Sequence, residues 1–344
     1  MMDKQTYIDL EIFESDDGKP GLFNMLDKTI TQSGSWALKR RFSNPLKSID
    51  EIKEVQNIVR YFLLLIDEWK LSVNESNIKS VEQYIHSNII VFRVTGGFTD
   101  WLTAKRFKWN QPDYFHFLKS GIVSLLEFLQ KIHSFLQPHI NDDTPKYLVN
   151  LFHDNNTLLL LIQKEANIRD NNIHSMNSLS VLKTDYMLRH DQKENIINLL
   201  SSFYEVDALF AMANSCKEYN LHIPEIVSGN NEICLKGLRH LFIENPVTND
   251  LIISKQNFVF LTGPNMAGKT VFIKAAATAV FLAHLGMGIP STGATISLFD
   301  EIFSSINIAD NLRKGESFFL AEILRLKELG NMLQSGKKSI CCNG

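Results

Sequence analysis

Gly263-Pro264-Asn265-Met266-Ala267-Gly268-Lys269-Thr270 fits the pattern G-x-x-x-x-G-K-[ST] without a mismatch. Gly263 and Gly268 carry no Cβ, so the chain there can curl and aim successive N–H groups at a phosphate chain. Lys269 can reach β- and γ-phosphates, and the Thr270 hydroxyl can ligate Mg²⁺. Val259 to Leu261 is a short apolar run of the kind a buried parallel strand shows. Val271 to Leu285 reads as a buried helix, whose N-terminus adds positive partial charge at the same spot. Strand, glycine loop and helix make ATP with Mg²⁺ the expected cofactor. A chance glycine turn would lack the flanking elements.

The remaining chain must carry that loop. Residues 1–20 are acidic and end in Asp16-Asp17-Gly18-Lys19-Pro20, a turn or lead-in segment. From Leu22 the pattern is helical for about two hundred residues. Leu22, Leu26 and Ile30, then Trp36, Leu38 and Phe42, set up the first helices, and Asn44-Pro45 breaks them. Ser48-Ile49-Asp50-Glu51 caps a helix expected to run through Trp69. Further helices are expected over Val81–Phe92, Thr99–Phe107, Tyr114–Leu136, Lys146–Ala166 and Lys193–Tyr219.

At His222-Ile223-Pro224-Glu225 the character changes to short β-like runs: Ile233-Cys234-Leu235, Leu251-Ile252-Ile253 and Phe258-Val259-Phe260. After the loop and its helix come a turn and strand at Asp300 to Ile306, polar residues Asn307 to Glu316, and a helix from Ser317 to about Leu333. The expected fold class is therefore α plus α/β: a long helical arm over residues 21–220, then a P-loop nucleotide-binding domain over 221–344.

Composition sets outer bounds. A net charge of −3 excludes a basic nucleic-acid binder by composition, so DNA contact would need a local patch. Lys39, Arg40 and Arg41 beside Trp36 form one candidate. Lys105, Arg106 and Lys108 among Trp101, Phe107 and Trp109 form another. The competing reading is that basic stems simply coat helices. Phe115, Phe117, Phe128 and Phe135 are most simply helix core. Cys216, Cys234, Cys341 and Cys342 lack zinc spacing and point to a reducing compartment. With no apolar leader and no uncharged stretch of membrane-spanning length, a cytoplasmic protein without a membrane partner is expected.

Together these residues resemble the C-terminal part of the MutS family of DNA mismatch-repair ATPases. Gly21 to Gly34, with Arg40 and Asn44-Pro45-Leu46, resembles the opening of that family's lever helices. Glu205-Val206-Asp207-Ala208-Leu209, then Tyr219 and Pro224, resembles the return of the lever to the ATPase. Pro264-Asn265-Met266 inside the loop is the family's own form of this motif, more specific than the bare pattern. Phe299 to Phe303 resembles the strand before its signature, and Asp310 to Glu322 the signature loop and helix. The likeness runs from about residue 12 to 338.

The resemblance implies an ABC-type ATPase fold and a homodimer in which Ser317 touches the γ-phosphate of the partner's nucleotide. It implies duplex DNA held by the helical arms. For the adenine it implies an aromatic-aliphatic pair before an Asn. Val247 with Asn249 satisfies the spacing, while Phe242 (in Phe242-Ile243) is the better stacking side chain. His240 beside Arg239 resembles another family motif, for which a structural role is expected.

The sequence departs from the family in several places. Only about twenty residues precede the lever, so no mismatch-reading domain is expected, nor strong mismatch preference. Phe318 stands where the family usually carries threonine. Ser339-Ile340 begins the strand that should end in Asp-Glu, and Cys341-Cys342-Asn343-Gly344 does not supply the acids. Asp300, Glu301 and Asp310 are not expected to replace them, so ATP should be bound but turned over near background. Two functional classes stay open: an ATP-gated DNA-binding clamp, and a catalytically inactive or truncated nucleotide-binding protein with a structural role.

Overall fold

The structure is a computed structural model that describes residues 2–68, 73–94, 97–165, 176–229, 231–254, 258–306, 318–334 and 336–343. The chain forms two compact units that interleave along the sequence, where the sequence pattern places boundaries at residues 20 and 220. One gathers Met1–Lys28, Trp36–Ile66 and Ala208–Gly344; the other Thr29–Ser35 and Asp67–Asp207.

The first unit opens with α1 (Lys4–Asp9), capped by the Asp3 carboxylate, which accepts from the Thr6 N–H at 2.8 Å. The expected lead-in is thus a helix with one buried side, where Thr6 and Asp9 are fully enclosed. After α2 (Leu22–Leu26), α3 (Gln32–Ser43) runs through residues of both units. Next is α4 (Ile49–Leu65), where the Ser48 hydroxyl accepts from Glu51 N–H, the cap that the sequence places there.

In the second unit, α5 (Glu75–Ile85) starts earlier and ends sooner than periodicity suggests. The Asn74 side chain caps its start, and Phe92 instead packs on Phe107, ring centroids 4.9 Å apart. Then come α6 (Phe98–Asn110), α7 (Pro112–Leu136), α8 (Lys146–Glu165), α9 (Ser178–Tyr186) and α10 (Lys193–Glu218), whose residues from Ala208 belong to the first unit. Helix α7 packs against α5 and α8, and α6 against α9. Gly121 of α7 lies against the Tyr84 ring, where a Cβ would sit 2.3 Å from ring carbon. Thr31 and Asp207 form the start of α3. Asp207 accepts from the N–H groups of Ile30 and Thr31, and the Thr31 hydroxyl accepts from Gly34 N–H.

Helix α10 is long and apolar enough to span a membrane by composition. Yet 67% of its most apolar stretch is buried inside the protein, as in a core helix.

Back in the first unit, β1 (Glu225–Val227), β2 (Ile233–Leu238), β3 (Asn249–Ile253) and β4 (Gly293–Ser297) form a sheet ordered β1-β4-β2-β3. β1 runs parallel to β4, and β2 antiparallel to both β4 and β3. Gly237 takes a left-handed φ of 59° at the bulge between β2 and β3, where its N–H donates to Asp250. Sequence periodicity marks β2 and β3 but neither β1 nor β4, whose partners are remote in the chain.

Helix α11 (Lys269–His284) follows the glycine loop and is buried all round from Ala275 to His284, matching the expected helix. Phe281 meets Phe42 at 5.7 Å and Tyr7 at 6.4 Å between ring centroids. A separate parallel pair, β5 (Glu301–Ser305) with β6 (Ser339–Asn343), flanks α12 (Phe318–Gln334). The expected features at Trp69, Ala166 and Asn307 to Ser317, including Asp310, lie outside the described residues.

His284 closes α11 as a buried neutral ring. Nδ1 lies 2.8 Å from Val280 O, and Nε2 accepts the Phe299 N–H at 3.0 Å. Burial holds its pKa below the ordinary imidazole value, against the Val280 carbonyl and Asp300, which push it up. A group with a depressed folded pKa is protonated first in the unfolded chain, so stability falls as pH drops below about 6.5. Melting curves between neutral and mildly acid pH should show a steeper loss for wild type than for His284→Gln. Parallel curves would refute it.

Candidate nucleotide-binding loop

Gly268 is the N-cap of α11 and sits in the left-handed region at φ 87° and ψ 12°. No atom lies within 4 Å of a Cβ built there, so backbone strain rather than crowding reserves the position for glycine. Gly263 differs. Its φ lies outside the left-handed region, and an added Cβ would meet Ala267 Cβ at 3.6 Å, an ordinary contact. Of the two glycines, Gly268 is the one held in a left-handed conformation. Met266 supplies the other left-handed residue, at φ 65°, with its side chain fully exposed.

Lys269 is turned back over the loop, its ammonium donating to Gly263 O at 2.6 Å and Pro264 O at 2.9 Å. Ala267 N–H also donates to Pro264 O, at 3.3 Å. The Phe272 N–H, bonded to Gly268 O at 2.9 Å, is the first in α11 with such a partner. The N–H groups of Lys269, Thr270 and Val271 are the orphans of a helix start. Thr270 is exposed in that first turn, and Pro264, Asn265 and Ala267 are exposed around it. Main-chain donors, one ammonium and one hydroxyl, open to solvent at the positive end of a helix dipole, suit a polyphosphate.

The expected strand ahead of the loop does not form. Residues 258–262 carry no strand pairing, and Phe258 and Phe260 are each 78% exposed. An apolar run supplies propensity, but a strand also needs a ladder partner, and none of the described residues pairs with this one.

Phe242 lines a small pocket with Ala275 and Thr278, the second and third turns of α11, beside His240 and Arg239. Val247 is 83% exposed, and its carbonyl accepts from the Asn249 amide at 3.5 Å, at the start of β3. Of the two adenine candidates, only Phe242 shares a described contact surface with α11. Arg239 donates to the carbonyls of Tyr219 and Asn220, just past the end of α10, and His240 Nδ1 accepts from Phe242 N–H. Ser317 lies outside the described residues.

Sequence patterns missed one partner of this helix. Lys274, one turn beyond Thr270, pairs with Glu11 at 2.6 Å and is largely covered. No motif joins positions so far apart in the chain. Burial, reinforced by Lys274 and opposed by Glu11, holds the neighbouring His240 below the usual imidazole pKa. Asp300 and Glu301 are both engaged with the residues leading into β6: Asp300 accepts from Lys338 N–H at 2.9 Å, and Glu301 pairs with Lys337.

Sequence and geometry thus define a glycine-rich loop with exposed main-chain donors at the head of a buried helix, in a helix-rich chain with small sheets. The family model for MutS domain V matches residues 259–341, the segment that begins just before this loop. Across 427 aligned positions the chain is 24% identical to the DNA mismatch repair protein MutS of Bacteroides fragilis, covering 97% of this chain and 49% of that protein. Shorter alignments join it to the proteins of the same name from Chlorobium phaeobacteroides (39% over 127 residues, 35% of this chain and 14% of the relative). With that of Alkaliphilus oremlandii it shares 30% over 162 residues, 45% of this chain and 18% of the relative. The chain therefore spans about half the length, or less, of these relatives.

Proposed function

We propose that this protein is a MutS-like, ATP-binding, DNA-binding protein related to mismatch repair, with ATP and Mg²⁺ held at residues 263–270. The observation that carries the reading is the left-handed Gly268 placing an unbroken G-x-x-x-x-G-K-T sequence at the open start of α11, within the region matched to MutS domain V. Lys269 and the main-chain N–H groups of Lys269, Thr270 and Val271 would hold the phosphates, and Thr270 would ligate the metal. Bound Mg²⁺ would supply charge neutralisation at the phosphates. Phe242 is the favoured adenine contact, with Val247 and Asn249 as the alternative. The resemblance further assigns Ser317 to the nucleotide of a second copy, so ATP would be sensed across a homodimer whose helical parts hold duplex DNA. A chain of this kind works in the cytoplasm.

Charge-assisted hydrogen bonds contribute about 1.5–3 kcal/mol each, so Lys269→Ala should weaken ATP binding by at least tenfold. Titration of labelled ATP against both proteins measures it. Equal affinity would overturn the nucleotide assignment.

A further inference from the structure

Helix α6 turns its most aromatic face outward. Phe98, Trp101, Leu102, Lys105 and Trp109 are spaced so that, at 3.6 residues per turn, they fall within roughly a 100° arc. All five are exposed, Phe98 by 73% and Trp109 by 87%. The opposite side supplies the packing: Ala104 and Phe107 are buried. The expected patch is therefore corrected, since Phe107 belongs to the core and Phe98 takes its place on the surface.

The rings are arranged rather than scattered. Phe98 and Trp101 stack with centroids 5.7 Å apart and planes 22° from parallel. The Lys105 ammonium sits 4.0 Å from the centre of the Trp101 ring. Arg106 and Lys108 lie on the two flanks of the arc and are exposed. The acid of this helix, Asp100, points to the far side and accepts from Gly97 N–H at the helix start.

We infer that the outward face of α6 binds an unpaired DNA strand, with bases stacking on Trp109 and on the stacked Phe98–Trp101 pair and phosphates meeting Lys105, Arg106 and Lys108. Charge decides the class of partner. Three cations and no acid on this face would leave uncompensated charge beneath an apolar peptide. Flat rings alternating with cations match a strand that offers bases and phosphates in turn. A membrane-surface helix keeps cations off the middle of its apolar face, whereas Lys105 sits among the rings. This rests on the DNA-binding part of the proposed function and adds to its duplex contact a second form of DNA, an unpaired strand, with the surface that takes it.

The test measures anisotropy of a labelled thymidine oligonucleotide with the full chain, beside a duplex of equal length and vesicles rich in anionic lipid. Nucleotide is left out, and the series is repeated with Lys269→Ala, so failure of the ATP reading leaves this result legible. Trp101→Ala with Trp109→Ala should weaken single-strand binding by about tenfold or more, since each lost stacking contact is a large effect. Phe at both positions should restore most of it, and duplex binding should change little. Both residues are exposed, so the variants should keep the wild-type far-ultraviolet spectrum; the single Trp109→Ala protein serves if the double variant does not. The inference is overturned by unchanged single-strand affinity, by equal losses for single strand and duplex, or by a preference for vesicles over the oligonucleotide.

Discussion

Asp185→Ala should lower the unfolding free energy by about 3–5 kcal/mol, the range for removing one partner of a buried ion pair. The Asp185 side chain is fully enclosed and that of Arg189 is 2% exposed. The carboxylate takes two hydrogen bonds from the guanidinium, Nε to Oδ1 at 2.6 Å and Nη2 to Oδ2 at 2.7 Å, and a third from the Tyr84 hydroxyl at 2.9 Å. Arg189 also donates to Ser87 Oγ and Ile89 O, so one side chain joins the end of α9 to the residues after α5. It sits in a π-helical turn, Met187–Asp191, whose wider winding continues directly from α9. Without Asp185 the guanidinium is left buried beside a phenol, with no counter-charge. Tyr84→Phe is the control. It removes one hydroxyl bond and leaves the ion pair, and should lose about 1 kcal/mol. Urea denaturation of the three proteins decides the matter: if Asp185→Ala loses no more than Tyr84→Phe, the carboxylate is not what holds this corner.

What could be read from the sequence follows from how local each cause is. Helix α11 is legible because good helix formers and apolar residues dominate it, and its loop is spelled residue by residue from Gly263 to Thr270. The Ser48 cap is legible because donor and acceptor lie three residues apart. Helix α1 is not legible. Its six residues show no apolar stripe, and Thr6 and Asp9 are buried only because Ser304 and Arg325 receive them from the other end of the chain. Phe258 to Phe260 shows the converse, a strand composition left without a ladder. At the loop itself, the motif named Lys269 but could not show its ammonium folded onto Gly263 and Pro264. Spacing favoured Val247 near the adenine, whereas packing put Phe242 against α11. Gly34 and Asp207 each carried part of the family resemblance separately. The fold shows why they go together: a Cβ at Gly34 would lie 2.2 Å from the Asp207 carboxylate that starts α3.

Arg325→Ala should destabilise the first unit by about 3 kcal/mol, because several partners lose a charged donor at once. The guanidinium donates to both carboxylate oxygens of Asp3, at 2.8 and 3.1 Å, to Thr6 Oγ1 at 3.2 Å and to Ser304 O. It also lies 3.8 Å from the centre of the Phe303 ring. Those partners belong to α1 and β5, so Arg325 fastens the N-terminal helix and a strand to α12. The same strand is held from the other side by Asp9, which accepts from the Ser304 hydroxyl and from Ile306 N–H. Removing Arg325 takes a charged donor from Ser304 O and from the Thr6 hydroxyl, which keeps only the Ser304 N–H, in a buried place. Lysine would keep the charge but cannot reach two sides at once with a planar fork, so Arg325→Lys should recover less than half of it. Thermal melts of the three proteins give the size. Amide hydrogen exchange gives the location, with the α1 amides exchanging faster in Arg325→Ala while those of α7 keep their protection. Full rescue by lysine would show that charge alone matters there. Unchanged exchange in α1 would show that Asp3, Thr6 and Asp9 hold the helix without Arg325.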